Sequence, residues 1–323
     1  MALTKQEWLA LEEKAYELRK LCLDTTFWAG SAHIGGGMSV MDMLAILYYK
    51  YMKYDVANPQ WEDRDRFILS KGHAGVALAS LVCHVGFDDK EKLKTFNLSN
   101  STMGIHLDSN KVKGVDASTG SLGHGLPIAL GTALAARVLG KDYKTYCILG
   151  DGECDEGSIW EMALFANHFK LNQFVVIVDH NKMQSLDYCE NTLALSPFAE
   201  KWKAFGWNVI DINGNDHQQL KSTFSNLSKN KKPTVIIANT VKGYGIPFME
   251  NDILWHYRFP HDGWEYDTAV TELHKNKPDG VDDIYTPDGI KNPAMPTEND
   301  DIYNDHTTSA TWKPTWMNER EGN

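Results

Sequence analysis

Cysteine is scarce in this sequence. Five occur in 323 residues, Cys22, Cys83, Cys147, Cys154 and Cys189, widely spaced and with no CxxC pair. That argues against a disulfide framework and against a structural zinc site. Long apolar runs are missing too, and none reaches the roughly 18 residues of a membrane span. The opening stretch, MALTKQEWLALEEK, carries neither a basic start nor an apolar segment, so a secretory leader is not expected. Basic charge is in deficit: 32 Lys and Arg stand against 43 Asp and Glu, a net charge of −11. Nucleic acid and anionic membrane surfaces both require clustered Lys and Arg, so neither is an expected partner. A reducing cytoplasm is the expected location. No internal repeat is visible.

What is present suits a folded enzyme-sized chain. Apolar residues make up 42% and aromatic residues 11%, enough for a large core and too rich for disorder. The charge is uneven. Residues 281–323 hold nine acids against three bases, so more than half of the net charge lies in the last stretch. Periodicity fades after residue 265, where Pro, Asp and Asn accumulate. We expect a domain over 1–265 and an acidic, extended C-terminal tail over 266–323.

Residues 5–28 repeat Trp8, Leu11, Ala15, Leu18 and Cys22 at helical spacing. A glycine-rich break, GSAHIGGGMS, follows. Ser39 and Asp42 then have the spacing of a capping box for a helix to about Met52. RDRFILS reads as a short strand ending at KGHAG, and residues 76–85 as a buried helix. Residues 95–120 read as loop and 126–139 as a second buried helix. From residue 144 to 240 the pattern alternates: strands 144–150, 174–179, 207–212 and 233–240, with helices between them. The strands are continuous apolar runs, as expected when both faces of a sheet are covered. The expected fold is α/β, a parallel sheet with helices on both faces.

The chemistry concentrates between Gly150 and Asn181. Asp151 stands where an apolar strand gives way to a helix, and Asn181 follows the next strand. In a parallel sheet both positions return to the carboxyl edge, where ligands bind. Asp151 is a hard oxygen donor suited to Mg²⁺, which completes its octahedron with phosphate and water. Gly152 lets backbone approach a phosphate, and the following helix presents N–H groups to it. The histidines form a second constellation. His33, His73, His106 and His124 lie in glycine-containing loops, and His256 follows a tryptophan. Such loops suggest a polar pocket for an oxygen-rich ligand.

The motifs SAHIGGGMS, ILSKGHA, GVDASTGSLGHGL, GDGECDEGSIWEMA, DHNKMQ and TVKGYGIPFMEN…WH resemble, in order, those of the transketolase family. They cover about residues 10–260 and are similar to its amino-terminal, diphosphate-binding half, which has the thiamine diphosphate-binding fold. The resemblance implies thiamine diphosphate (ThDP) and Mg²⁺ as cofactors. It implies Asp151, Asn181 and the Met183 carbonyl as metal ligands. It places Gly152, His73 and His256 at the diphosphate, and Gly120 and Leu122 beside the cofactor's rings. His33, His73, His106 and His256 would face the donor ketose as hydrogen-bond donors or proton-transfer groups. Glu156 and Glu161 match acids that line a passage between two cofactor sites, and they also suit a helix N-terminus.

The pyrimidine-binding half of such an enzyme has no counterpart here. The resemblance therefore implies one subunit of a split transketolase, inactive alone and paired with a C-terminal partner subunit in a dimer of heterodimers. Ketose and aldose would be its substrates, with a branched sugar phosphate or a sulfonated fructose among the candidate donors. His124, where Gln is usual, and the acids Glu153 and Asp155 depart from the pattern. The alternative within ThDP enzymes is the α subunit of a 2-oxoacid dehydrogenase. A nicotinamide-binding reading of GSAHIGGG is disfavoured because that stretch follows a helix rather than a strand. A non-catalytic scaffold is disfavoured because Asp151 and Asn181 are both present.

Overall fold

The computed structural model describes residues 3–227, 231–261 and 263–284. Ten helices and five strands run along the described chain. The helices are α1 Lys5–Ala29, α2 Ile34–Met38, α3 Met41–Ile46, α4 Gly75–Val85, α5 Gly125–Leu139, α6 Gly157–His168, α7 Cys189–Thr192, α8 Phe198–Ala204, α9 His217–Asn226 and α10 Trp264–Lys275. The strands are β1 Arg66–Leu69, β2 Thr145–Gly150, β3 Phe174–His180, β4 Asn208–Asn213 and β5 Thr234–Asn239. They form one sheet, ordered β1-β2-β3-β5-β4, and every pairing is parallel. The expected α/β class is the observed one.

The apolar strands divide their side chains between two cores. Phe67, Leu69, Tyr146, Ile148, Val175, Ile177 and Ile236 enter the layer that holds α1, α3, α4 and α9. Their neighbours Ile68, Cys147, Leu149, Val176, Val178, Val235 and Ile237 pack with α5, α6 and α8 on the other face. Period-two alternation with both faces apolar is what a sandwiched parallel sheet requires. All five cysteines are free and buried. Among the described residues no helix is long and apolar enough to cross a membrane.

Four local expectations need correction. Ser39 and Asp42 do not make a capping box. The Ser39 hydroxyl donates to Asp179, 140 residues away, and Asp42 is committed to Arg19. The glycine-rich break is itself the short helix α2. Helix α5 is buried along one side only, by Leu126, Ala129, Leu130, Ala133 and Ala136. Ile128, Val138 and Leu139 are exposed. Helical structure also continues past residue 265, because α10 packs on α1 through Ala269 and Leu273. The rest of the expected tail, 285–323, lies outside the described residues.

Candidate active site

The carboxyl edge of the sheet collects the chemistry. β1 leads to Lys71 and His73, β2 to Asp151 and Gly152, β3 to Asn181 and Met183, and β5 to Lys242. Neighbouring strands stay in register to their ends, with Gly150 opposite Asp179 and Asp179 opposite Ala238. Residues far apart in sequence are thereby brought to one rim.

Asp179 is the hub beneath that rim. It is fully buried and accepts from Lys71 Nζ at 2.5 Å, Ser39 Oγ at 2.7 Å, Thr240 Oγ1 at 2.5 Å and Asn181 Nδ2 at 2.8 Å. Burial pushes its carboxyl up, but the Lys71 ammonium prevails and holds it below the usual range. Holding the Asn181 amide nitrogen fixes where the oxygen points. Asn181 Oδ1 accepts from Met183 N at 3.1 Å.

Asp151 sits above this hub, 2% exposed. Its carboxylate accepts from Gly152 N at 2.8 Å and from Lys182 N. Among the described residues no ammonium or guanidinium lies within ion-pair distance of it. Burial, and then the neighbouring Asp179 charge, hold the Asp151 carboxyl above its ordinary range. It is a buried acid short of a cation, which is how a metal ligand looks before its metal is added. The donors at this corner are a carboxylate, an amide oxygen and main-chain carbonyls. No group of three or more His, Cys, Asp or Glu able to hold a metal occurs among the described residues. The carboxylate and amide oxygens suit a hard cation that takes few protein oxygens and shares a phosphate. At Gly152 a Cβ would come within 2.6 Å of the Gln184 side chain, so Gln184 can pack this closely against the turn only because the residue is glycine.

The histidines lie on the outer side. The rings of His33, His73 and His256 form a triangle with centroids 5.2–5.6 Å apart. His33 Nδ1 meets the His256 carbonyl at 2.9 Å, and Lys242 Nζ meets His256 Nδ1 at 2.7 Å. Burial lowers all three imidazoles below their ordinary pKa. For His73 the nearby Lys71 charge adds to this, and for His256 that of Lys242. They are neutral bases at pH 7, able to accept or donate at an oxygen. Lys242 is itself pushed down to about 8, by burial and by Lys71.

His106 is set slightly apart. It packs over Gly120, where a Cβ would lie 2.9 Å from the ring. The same loop rests on Gly72, whose Cβ would meet Gly120 N at 2.7 Å. Glu153 braces this loop. It accepts from Ser70 Oγ at 2.5 Å, Gly123 N at 2.9 Å and Gly150 N at 3.1 Å, tying residues 120–125 to the ends of β1 and β2. Leu122 is partly exposed on it, and His124 is exposed at the N-cap of α5. Glu156, exposed at the N-cap of α6, stands beside Gly123. Glu161 is exposed one turn further along. Both acids lie outside the histidine triangle.

Sequence reasoning passed over Lys71, Asp179 and Lys242. A lysine before glycine reads as a solvated turn residue. Lys71 and Lys242 are each 1% exposed, and the available signal was that both follow apolar strands.

A parallel sheet whose carboxyl edge offers hard oxygens, buried lysines and a glycine turn suits a phosphate-bearing ligand. The model of the transketolase, thiamine diphosphate binding domain, matches residues 11–257, and this chain belongs to the transketolase family. It is 38% identical over 272 residues to the 6-deoxy-6-sulfo-D-fructose transketolase subunit SqwG of a Clostridium species, covering 84% of this chain and 98% of that protein. It is 37% identical over 264 residues to one subunit of the apulose-4-phosphate transketolase of Phocaeicola vulgatus, covering 81% and 93% respectively. The solved transketolase of Campylobacter jejuni superposes with a TM-score of 0.78 at 29% identity, covering 85% of this chain. The match takes in only 43% of that solved chain, so this chain spans less than half of it. These relatives support the transketolase reading and lend nothing to the dehydrogenase alternative.

Proposed function

We propose that this chain is the diphosphate- and Mg²⁺-binding subunit of a two-subunit transketolase. It would transfer a two-carbon ketol unit from an anionic ketose, a phosphate or a sulfonated sugar, to an aldose phosphate. The observation that carries the reading is the buried, cation-deficient Asp151 beside Asn181 at the carboxyl edge of the sheet. Asp151, Asn181 and the Met183 carbonyl would hold Mg²⁺. Gly152, His73 and His256 would hold the diphosphate, joined by Lys242. Gly120 and Leu122 would flank the rings of ThDP. When bound, ThDP supplies the nucleophilic carbon and the electron sink that ketol transfer needs.

The chain's own residues would do the rest. Asp179 orients Asn181 and pairs with Lys71. Neutral His33, His73 and His256, with His106, would bind sugar hydroxyls and carry protons to and from oxygens that gain and lose charge. Glu156, exposed beside the 120–125 loop, and Glu161, exposed one turn further along α6, would lie along a passage to a second copy. The contact of α10 with α1 supports extending the domain through α10, with the acidic segment starting beyond it.

A partner supplying the pyrimidine-binding domain is part of this reading. Support comes from relatives named as subunits, which this chain matches nearly end to end. We expect a cytoplasmic dimer of heterodimers. The test is turnover of a ketose donor with ThDP and Mg²⁺, by the chain alone and by the chain with its partner. Activity is expected only for the pair. Full activity of the isolated chain would refute the split assembly, and pyruvate oxidation in place of ketol transfer would refute the transketolase reading. The two named relatives act on different sugars at near-equal identity, so the donor has to be settled by assay.

A further inference from the structure

Tyr257 stands apart from the residues considered so far. It is 63% exposed, yet it borders the half-buried histidine triangle. Its ring lies 5.0 Å from that of His33 and 4.6 Å from that of His256. The site therefore has a depth order. Lys242 is buried at the bottom, the three imidazoles are half-buried, and the phenol lies at the mouth.

The backbone that presents Tyr257 is pinned on both sides. Before it, the His256 carbonyl is held by His33. After it, Arg258 donates to Glu265 at 2.6 Å, and its guanidinium lies 4.7 Å over the Trp255 ring. Arg258 is thus occupied with Glu265 and Trp255. A tyrosine on a fixed backbone offers a rigid, amphipathic face at little entropic cost.

We infer that Tyr257 is a specificity-determining residue. It contacts the part of the sugar chain that extends past the histidine triangle, away from the carbonyl carbon. This rests on the transketolase reading. A ketose with its carbonyl among His33, His73 and His256 must leave the pocket past this ring, because the ring borders two of the three imidazoles on the solvent side. The phenol face meets the C–H edges of the polyol, and the hydroxyl is a donor and acceptor for a distal sugar hydroxyl. The consequence is discrimination by chain length. A donor that stops short of the ring gains nothing from it.

The experiment uses the complete two-subunit complex with ThDP and Mg²⁺. Tyr257→Ala and Tyr257→Phe are compared with the parent complex on xylulose 5-phosphate, fructose 6-phosphate and the four-carbon ketose erythrulose. The expected result is a KM about tenfold higher for the two longer donors in Tyr257→Ala, with kcat within about twofold. Erythrulose should shift by about twofold or less, and Tyr257→Phe should fall between parent and alanine variant. Calorimetric binding of xylitol 5-phosphate, which cannot react, supplies a second readout and should weaken in parallel with KM. An equal rise in KM for all three donors would overturn the inference, since Tyr257 would then act by holding the histidines. Unchanged KM throughout would also overturn it. So would a weaker association of the two subunits with donor affinity intact, which would assign the ring to the partner. Failure of the parent complex to turn over any ketose, with ThDP and Mg²⁺ bound, would instead refute the functional reading, and the xylitol 5-phosphate titration would still test the ring.

Discussion

Two of the buried charge clusters among the described residues are finished differently. In the first, Arg19 on α1 pairs with Asp42 on α3. His217, at the start of α9, bridges Glu12 at 2.9 Å and Asp42 at 3.3 Å, and Asn215 adds a donor to Asp42 at 2.7 Å. Every charge there faces its opposite. In the second, at the carboxyl edge of the sheet, Asp151 has no cation within ion-pair distance among the described residues, and Lys242 Nζ donates to His256 Nδ1 and the Gln184 carbonyl. Among the described residues no carboxylate lies within ion-pair distance of Lys242. The closed cluster stabilises the fold. The open one leaves a negative and a positive group uncompensated in one small space, as a site for a metal-bridged anion requires. Removing a charge should therefore harm the closed cluster's fold and the open cluster's ligand.

The largest expected effect is at Asp151. Asp151→Ala should abolish Mg²⁺-dependent ThDP binding by the assembled complex, measured by calorimetry. The thermal midpoint of the unliganded chain should stay level or rise, because a buried acid without a cation has been removed. Unchanged cofactor affinity would refute the metal assignment. A sharp loss of stability would make Asp151 a member of a closed cluster after all. In the parent protein, protons compete with the metal at a carboxyl whose pKa is raised. Mg²⁺ affinity should therefore climb as pH rises through that titration and then level off.

The closed cluster predicts a pH dependence of stability. Burial alone would lower the His217 pKa, but the adjacent Asp42 and Glu12 carboxylates prevail and raise it to about 9. A pKa raised on folding means that the protonated form is favoured in the fold. That stabilisation is complete below the unfolded value of 6.5 and is lost as pH climbs through about 9. It amounts to about 3 kcal/mol. Denaturant midpoints measured from pH 6 to 10 should fall over that window for the parent, and the fall should flatten in His217→Gln. Equal slopes for the two proteins would remove His217 from the cluster. Cofactor affinity in His217→Gln should match the parent.

The two clusters also differ in how far they could be read from sequence. Asp151 and Asn181 were legible because each directly follows an apolar strand, and parallel packing sends both to one edge. The histidines were legible through their glycine-containing loops. Lys71 and Lys242 were not, because a Lys-Gly pair reads as a turn, and only the contact with Asp179 and His256 reveals its burial. One residue of each cluster was misread together. Ser39 and Asp42 have the spacing of a cap, yet both side chains were claimed by partners far along the chain, and no local pattern records that competition. α10 escaped notice because its buried positions are Glu265, Ala269 and Leu273, an inward stripe with too few apolar residues to register. The exposed side of α5 escaped for the opposite reason. Its composition is that of a buried helix, and the face bearing Ile128, Val138 and Leu139 is left uncovered in this chain.

The smallest expected effect separates the two clusters most cleanly, because it concerns a cation. Lys242 is 1% exposed, and its pKa of about 8 records burial together with repulsion from Lys71. If it belonged to a closed cluster, deleting its charge would strand a carboxylate and destabilise the fold. No carboxylate depends on it here. Lys242→Met keeps the length of the side chain and removes the charge. It should leave the thermal midpoint of the unliganded chain level or slightly higher. ThDP affinity should drop about tenfold, near 1.4 kcal/mol, as one charge-assisted contact to an anion is lost. The parent's affinity should also weaken above about pH 8, as the ammonium loses its proton, and that decline should be missing from Lys242→Met. If the variant instead loses stability and binds ThDP normally, Lys242 is structural and the contrast between the two clusters fails at that residue.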